Sequence, residues 1–178
     1  MESELTHLQK RLKEEGDKVS AFFETLPADQ WERVVYTEGS HWRIRQILAH
    51  FISAESAYQR YLEDVLRGGS GAPSDLDIDQ FNEVEVADLE STPVEVLLEG
   101  YARCREKTLD LLESLHESDL GKIAFHPWFG DREVGWLLRL IYRHNTLHLQ
   151  DVRKAIRSGE PVPHSDAHRV GRVIQPKD

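Results

Sequence analysis

A single cysteine, Cys104, in a chain of 178 residues excludes an internal disulfide and any zinc site built on cysteines of one chain. No apolar run approaches the roughly 20 residues needed to span a bilayer, so no membrane partner is expected. Met1 to Leu12, with its early glutamates, does not read as a secretory signal, and the expected compartment is the cytoplasm. Basic residues are outnumbered, 22 Lys and Arg against 32 Asp and Glu, for a net charge of −10. With no clustered basic face to offset it, that charge opposes approach to phosphate backbones, and no nucleic-acid partner is expected. Sustained period-two alternation is missing, as is any internal repeat, which sets aside sheet and solenoid architectures.

What is present is an ordinary balance of 39% hydrophobic and 30% charged residues, in a length that suits one domain with a real core. Four segments carry helical periodicity. Glu4 to Leu26 places Leu5, Leu8, Leu12, Val19, Phe22 and Leu26 on one face, with a bend allowed near Gly16 and Pro27 as the stop. The second segment takes Ser40 as its cap, runs from His41 to Arg67, and ends at Gly68-Gly69; Ile44, Ile47, Leu48, Phe51, Ala54 and Tyr58 mark its apolar side. In the third, Thr92, Pro93 and Glu95 form a capping-box pattern ahead of Leu97, Tyr101, Cys104, Thr108, Leu111 and Leu115. The fourth begins near Asp131 and ends at Gly159, with Arg153, Lys154 and Arg157 placed where cations complement a helix dipole. The expected fold class is all-α: a four-helix bundle with a long crossover, Gly68 to Ser91, between helices two and three, which lets those helices run parallel. Asp75, Asp77 and Asp79 in that crossover mimic the opening of a calcium loop, but Gln80 stands in place of its glycine and Val86 in place of its closing glutamate. Calcium is rejected there. The aromatic link around Pro127, Trp128 and Phe129 is expected to fold over a bundle end. Residues 1–160 form the expected bundle domain and 161–178 an extended tail.

The chemistry lies in histidines that interrupt apolar stripes. A lone histidine on such a face is more often a hydrogen-bonded core residue than a ligand. Here His144 and His148 sit one turn apart in the fourth stripe, a spacing that lets two imidazoles reach one cation, and His50 occupies a slot of the second stripe. Burying three imidazoles together is costly unless something compensates, and a divalent cation does so directly. Three nitrogen ligands leave a coordination position open, as in catalytic sites, and suit zinc, nickel, copper or iron(II). A ferritin-like di-iron centre requires several core glutamates with Glu-x-x-His pairs, and none appears in the apolar stripes. Asp151, on the same face, is a candidate to orient a ligand ring, with a solvated carboxylate as the alternative. Gln46 is a candidate to line the open side, with an ordinary surface glutamine as the alternative. Glu55 and Tyr58 could move a proton if turned inward, although Glu55 suits the bundle's margin. Trp42, Trp136 and Cys104 read as packing. His164 and His168 repeat the i, i+4 spacing but follow Pro161 and Pro163 in a polar tail, and read as incidental.

The order of an N-terminal helix, His41-Trp-Arg-Ile-Arg-Gln-Ile-Leu-Ala-His50, a crossover with Asp79-Gln-Phe-Asn82, a third helix and His144-Asn-Thr-Leu-His148 resembles the DinB-like superfamily of damage-inducible metalloproteins. That superfamily takes in relatives of bacillithiol transferases and mycothiol-dependent maleylpyruvate isomerases, and the resemblance spans roughly Leu5 to Gly159. It implies a bundle with a crossover, a divalent metal (zinc or nickel foremost) on His50, His144 and His148, a homodimer, and activation of a low-molecular-weight thiol. Three functional readings stay open. The first is a metal-dependent enzyme transferring such a thiol, or water, to a small-molecule electrophile. The second is a non-catalytic, stress-related dimeric binding module with a structural metal, and the third a histidine-rich core without metal.

Overall fold

The computed structural model of the chain describes residues 2–165. In chain order the elements are α1 (Glu4–Glu24), α2 (Ile44–Leu66), α3 (Ile78–Asp88), α4 (Val94–Glu113), β1 (Ile123–His126), β2 (Gly130–Glu133) and α5 (Val134–Ser158), with two short 3-10 turns between them. The four segments read from periodicity are α1, α2, α4 and α5. They form the bundle.

Their ends follow local chemistry. Ser3 Oγ accepts from the Thr6 amide and starts α1, and Leu8, Leu12, Val19 and Phe23 are its buried stripe. α2 begins at Ile44 rather than His41, because the Ser40 hydroxyl donates to Glu83 and His41 takes a positive φ of 47°. The first turn is instead closed by Gln46, whose Oε1 accepts from the Arg43 amide at 2.8 Å. α4 starts at Val94 directly after Pro93, and the Thr92 side chain does not cap it. α5 starts at Val134 because residues 130–133 are taken by a hairpin; it ends as expected at Gly159, whose φ of 78° a side chain would resist.

Two links hold structure that the sequence did not announce. The crossover contains α3, started by Asp77, whose Oδ1 accepts from the amides of Asp79 and Gln80 at 3.1 and 3.0 Å. The acidic triplet is thus a helix start. The aromatic link forms the antiparallel pair β1–β2, in register from Ile123 with Glu133 to His126 with Gly130. β1 is pinned by the Phe125 amide donating to the Ser70 carbonyl and by the Ala72 amide donating to the Phe125 carbonyl. Gly71 permits this approach: its φ is 97°, and a Cβ there would meet the Phe125 backbone at 3.0 Å. Residues 161–165 lie against the body, since the Val162 amide donates to the Val35 carbonyl and the Thr37 amide to the Val162 carbonyl. The remainder of the expected tail, with His168 and Pro176, lies outside the described residues.

Helices α2 and α4 run parallel, as the crossover allows. Their contacts step in one direction, from Arg45 with the Thr92 carbonyl to Glu55 with Arg105 and Gln59 with Thr108. The middle contact is a buried ion pair. Arg105 Nε and Nη2 donate to the two Glu55 oxygens at 2.7 and 2.9 Å, and Nη1 donates to the Leu12 carbonyl of α1. Glu55 is 2% exposed, far from the margin and held by a cation rather than positioned to move a proton. Gly16 is explained by the same guanidinium: a Cβ there would lie 2.9 Å from Arg105 Nη1, and α1 runs through it without a break.

Removing one half of this pair leaves the other charged and buried. Arg105→Met is therefore expected to cost about 3–5 kcal/mol in urea unfolding at neutral pH, and the double variant Glu55→Gln/Arg105→Met to recover much of it. A loss below about 1 kcal/mol would contradict a buried pair. A second prediction concerns His126, fully buried in β1, whose imidazole is pushed down to about 3, first by burial and then by the charges of His144 and Arg132. The unfolded chain gains its proton near pH 6.5 and the folded chain only far below, so stability is full above 6.5 and falls as pH drops. Between pH 6 and 4, His126→Gln should lessen the pH slope of unfolding by about one proton, roughly 1.4 kcal/mol per pH unit. An unchanged slope would contradict it.

Candidate metal centre

Helix periodicity places His50 on the inner side of α2, and His144 and His148 one turn apart on the facing side of α5. The Nε2 atom of His144 lies 2.9 Å from that of His50 and 3.0 Å from that of His148. One ligand atom from each ring falls within 4.8 Å of both others. Ring centroids are 4.5–5.2 Å apart with planes crossing at 73–82°, so the rings stand like three faces meeting near a corner. Neighbouring nitrogens bound at about 2.0–2.1 Å to one ion are separated by roughly 2.9 Å at a right angle and 3.3 Å at the tetrahedral angle. The two short separations fit that range.

Electrostatics agree. Burial, then the neighbouring imidazoles, hold His50 and His148 well below the usual histidine range, and burial pushes His144 down to about 4. All three are neutral near pH 7 and present lone pairs. Two neutral rings can share one N–H···N bond, but three nitrogens pointed at one another cannot all be satisfied. His50 Nδ1 is also buried without a hydrogen-bond partner, and the Trp42 ring packs 4.6 Å from its ring. The donor set, three lone pairs converging through Nε2, fits a cation at the centre.

The residue that orients a ring is Tyr36, which the sequence reading missed. Its hydroxyl oxygen lies 2.5 Å from His148 Nδ1, and burial raises its own ionisation, so it is a neutral phenol. A bond there lets Nδ1 carry the proton and leaves Nε2 free to bind. Asp151, a candidate for that part in the sequence with a solvated carboxylate as the alternative, is engaged elsewhere. Its carboxylate is buried, accepts from the Ser165 amide and hydroxyl at 3.0 and 2.7 Å, and pairs with Lys154 at 3.1 Å. Gln46 also departs from expectation: its amide donates to Glu90 at 2.9 Å while its oxygen closes the α2 start, away from the imidazoles. His164, read as incidental, is brought to the site by the Val162 pairing and the Asp151–Ser165 bonds. Its ring centroid lies 4.3 Å from Tyr36 and 5.3 Å from His148. Tyr58 turns inward, its hydroxyl 3.4 Å from His126 Nε2.

The imidazoles form the floor of a cleft of about 350 Å³ walled by Tyr36, Trp42, Trp128 and His164, with Glu38, Asp79 and Glu83 at its rim. Beside it, sharing His50, His144 and Trp128, is an apolar recess of about 30 Å³ between Tyr58, Phe81 and Phe129. The crossover helix α3 and the hairpin turn, both unforeseen, supply much of these walls.

The sequence profile of the DinB superfamily matches residues 11–152. Among curated proteins none matches the chain significantly. Several solved structures share its fold. A mycothiol-dependent maleylpyruvate isomerase is 13% identical with a TM-score of 0.70, over 85% of this chain and 63% of that one. YfiT from Bacillus subtilis, described as a probable metal-dependent hydrolase with an unusual four-helix bundle topology, is 16% identical with a TM-score of 0.62, over 88% of both chains. The colibactin self-resistance protein ClbS, solved in complex with double-stranded DNA, is 14% identical with a TM-score of 0.66, over 86% of this chain and 97% of that one. At these identities the likeness carries the fold and leaves the reaction to the site's own chemistry.

Proposed function

The chain belongs to the DinB superfamily, and on that footing we propose that it is a metal-dependent enzyme whose His50, His144 and His148 hold one divalent cation, zinc or nickel, through Nε2. The observation that carries this reading is the convergence of three neutral, buried imidazole nitrogens at the floor of an open cleft. When bound, such an ion lowers the pKa of a thiol or water and supplies a nucleophile near neutral pH. The reaction proposed is transfer of a low-molecular-weight thiol, or of water, to a small-molecule electrophile. Tyr36 fixes the tautomer and tilt of His148. Trp42 and Phe51 pack against the rings and hold their planes. The cleft admits the reactants, and the apolar recess keeps water from one side of the site.

A purely structural metal is less well supported. Structural sites close around four protein ligands, whereas among the described residues this centre offers three and faces open space. The likeness to ClbS, solved with duplex DNA, runs against the expectation of no nucleic-acid partner, yet the net charge of −10 favours a small-molecule reactant.

Zinc titration against a chromophoric chelator tests the ligand set. The parent is expected to hold one ion per chain. His148→Ala should lose it, and Tyr36→Phe should keep the fold while binding about 10–100-fold more weakly. Equal retention by His148→Ala and the parent would overturn the ligand assignment. A panel of thiols with alkylating and epoxide electrophiles then tests catalysis: turnover that follows bound metal is expected, and zinc retention with no turnover by thiol or water would overturn the enzyme reading.

A further inference from the structure

The walls of the cleft are chemically one-sided. Glu38, Asp79 and Glu83 stand at its mouth on two separate parts of the chain, the loop before α2 and the outer face of α3. Glu83 is tied to the neutral Ser40 hydroxyl at 2.9 Å, which fixes its carboxylate at the rim without cancelling its charge. Among the described residues no lysine or arginine lines the cleft, so its only basic groups are imidazoles. Below the rim, the phenol of Tyr36 and the indoles of Trp42 and Trp128 lead down to the imidazoles of His50, His144 and His148.

A rim of carboxylates above aromatic faces attracts positive charge in two ways. The carboxylates act through space, and the ring faces act through their quadrupoles on contact. An anion reaching the mouth of the cleft meets three like charges and no Lys or Arg among the described residues, and the positive charge of an ion on the imidazoles lies at the floor, below that rim. The recess beside the imidazoles is apolar and, at about 30 Å³, has room for a group on the scale of a methyl. Cleft and recess meet at His50 and His144, so a molecule lying across both would have its middle over the nitrogens.

Resting on the reading that this cleft receives the reactant, we propose that the substrate is an organic cation. An amine or quaternary ammonium group sits between the carboxylate rim and the indole faces, and a small apolar group adjoining the reactive atom enters the recess. The same rim disfavours an anionic group at the mouth of the cleft.

The test uses isothermal titration calorimetry on the purified chain with benzyltrimethylammonium and, as its charge-reversed counterpart, phenylmethanesulfonate. The ammonium is expected to bind at least tenfold tighter, and its binding to weaken severalfold from low to high salt. In Glu38→Gln/Asp79→Asn/Glu83→Gln, a triple change at exposed positions, the preference should vanish while circular dichroism and zinc content stay as in the parent. Equal binding of the two probes, preference for the sulfonate, or a cation preference that survives the triple change would each overturn the proposal. Zinc content is read separately. Protein that holds zinc but shows no preference sinks this proposal alone, and protein that prefers the ammonium but holds no zinc sinks the metalloenzyme reading alone.

Discussion

Three imidazole nitrogens facing one another inside a protein are an unstable arrangement by themselves. Each ring is held neutral by burial, each offers a lone pair, and two of the three separations are 3.0 Å or less. Much of the fold serves to hold them there. α2 and α5 present the rings, and the Glu55–Arg105 pair ties α2 to α4 and, through the Leu12 carbonyl, to α1. Phe51 and Leu149, beside the histidines in sequence, belong to the same buried apolar cluster. A bundle so cross-linked resists the small helix shift that would relax the crowding, and a central cation removes the need for it.

The bundle was legible because its signal is periodic. The stripes of α1, α2, α4 and α5 recur over five or more turns, and histidines in core slots stand out as exceptions to a rule. Elements without a long stripe were not legible. α3 buries only Val86, so its pattern resembles a polar linker, and it is recognised by its Asp77 cap. β1 and β2 have four residues each, too few to show alternation, and their order depends on backbone bonds from residues 70–72.

The surroundings of the histidines were less readable still, because they are made by contacts distant in sequence. Tyr36 lies in an irregular segment and meets His148 across 112 positions. His164 reaches the site only because Val162 pairs with Val35 and Ser165 bonds Asp151. Asp151 was placed on the correct face of α5, but residues on one face differ in what covers them. One turn beyond His148 the covering chain is Ser165, which takes the carboxylate before any imidazole can. Gln46 likewise sits on the same helix as His50 but one turn nearer its start, where an unsatisfied amide claims its oxygen. Face is set by spacing; partner is set by the rest of the chain.

Metal analysis of the purified chain combined with X-ray absorption at the edge of whatever ion it holds tests the central claim most directly. The account predicts about one divalent ion per chain, with nitrogen and oxygen neighbours near 2.0–2.1 Å, scattering from three imidazoles and no sulfur from Cys104. A chain that binds no divalent ion when zinc or nickel is supplied, or one whose ion shows fewer than two imidazoles, would contradict it.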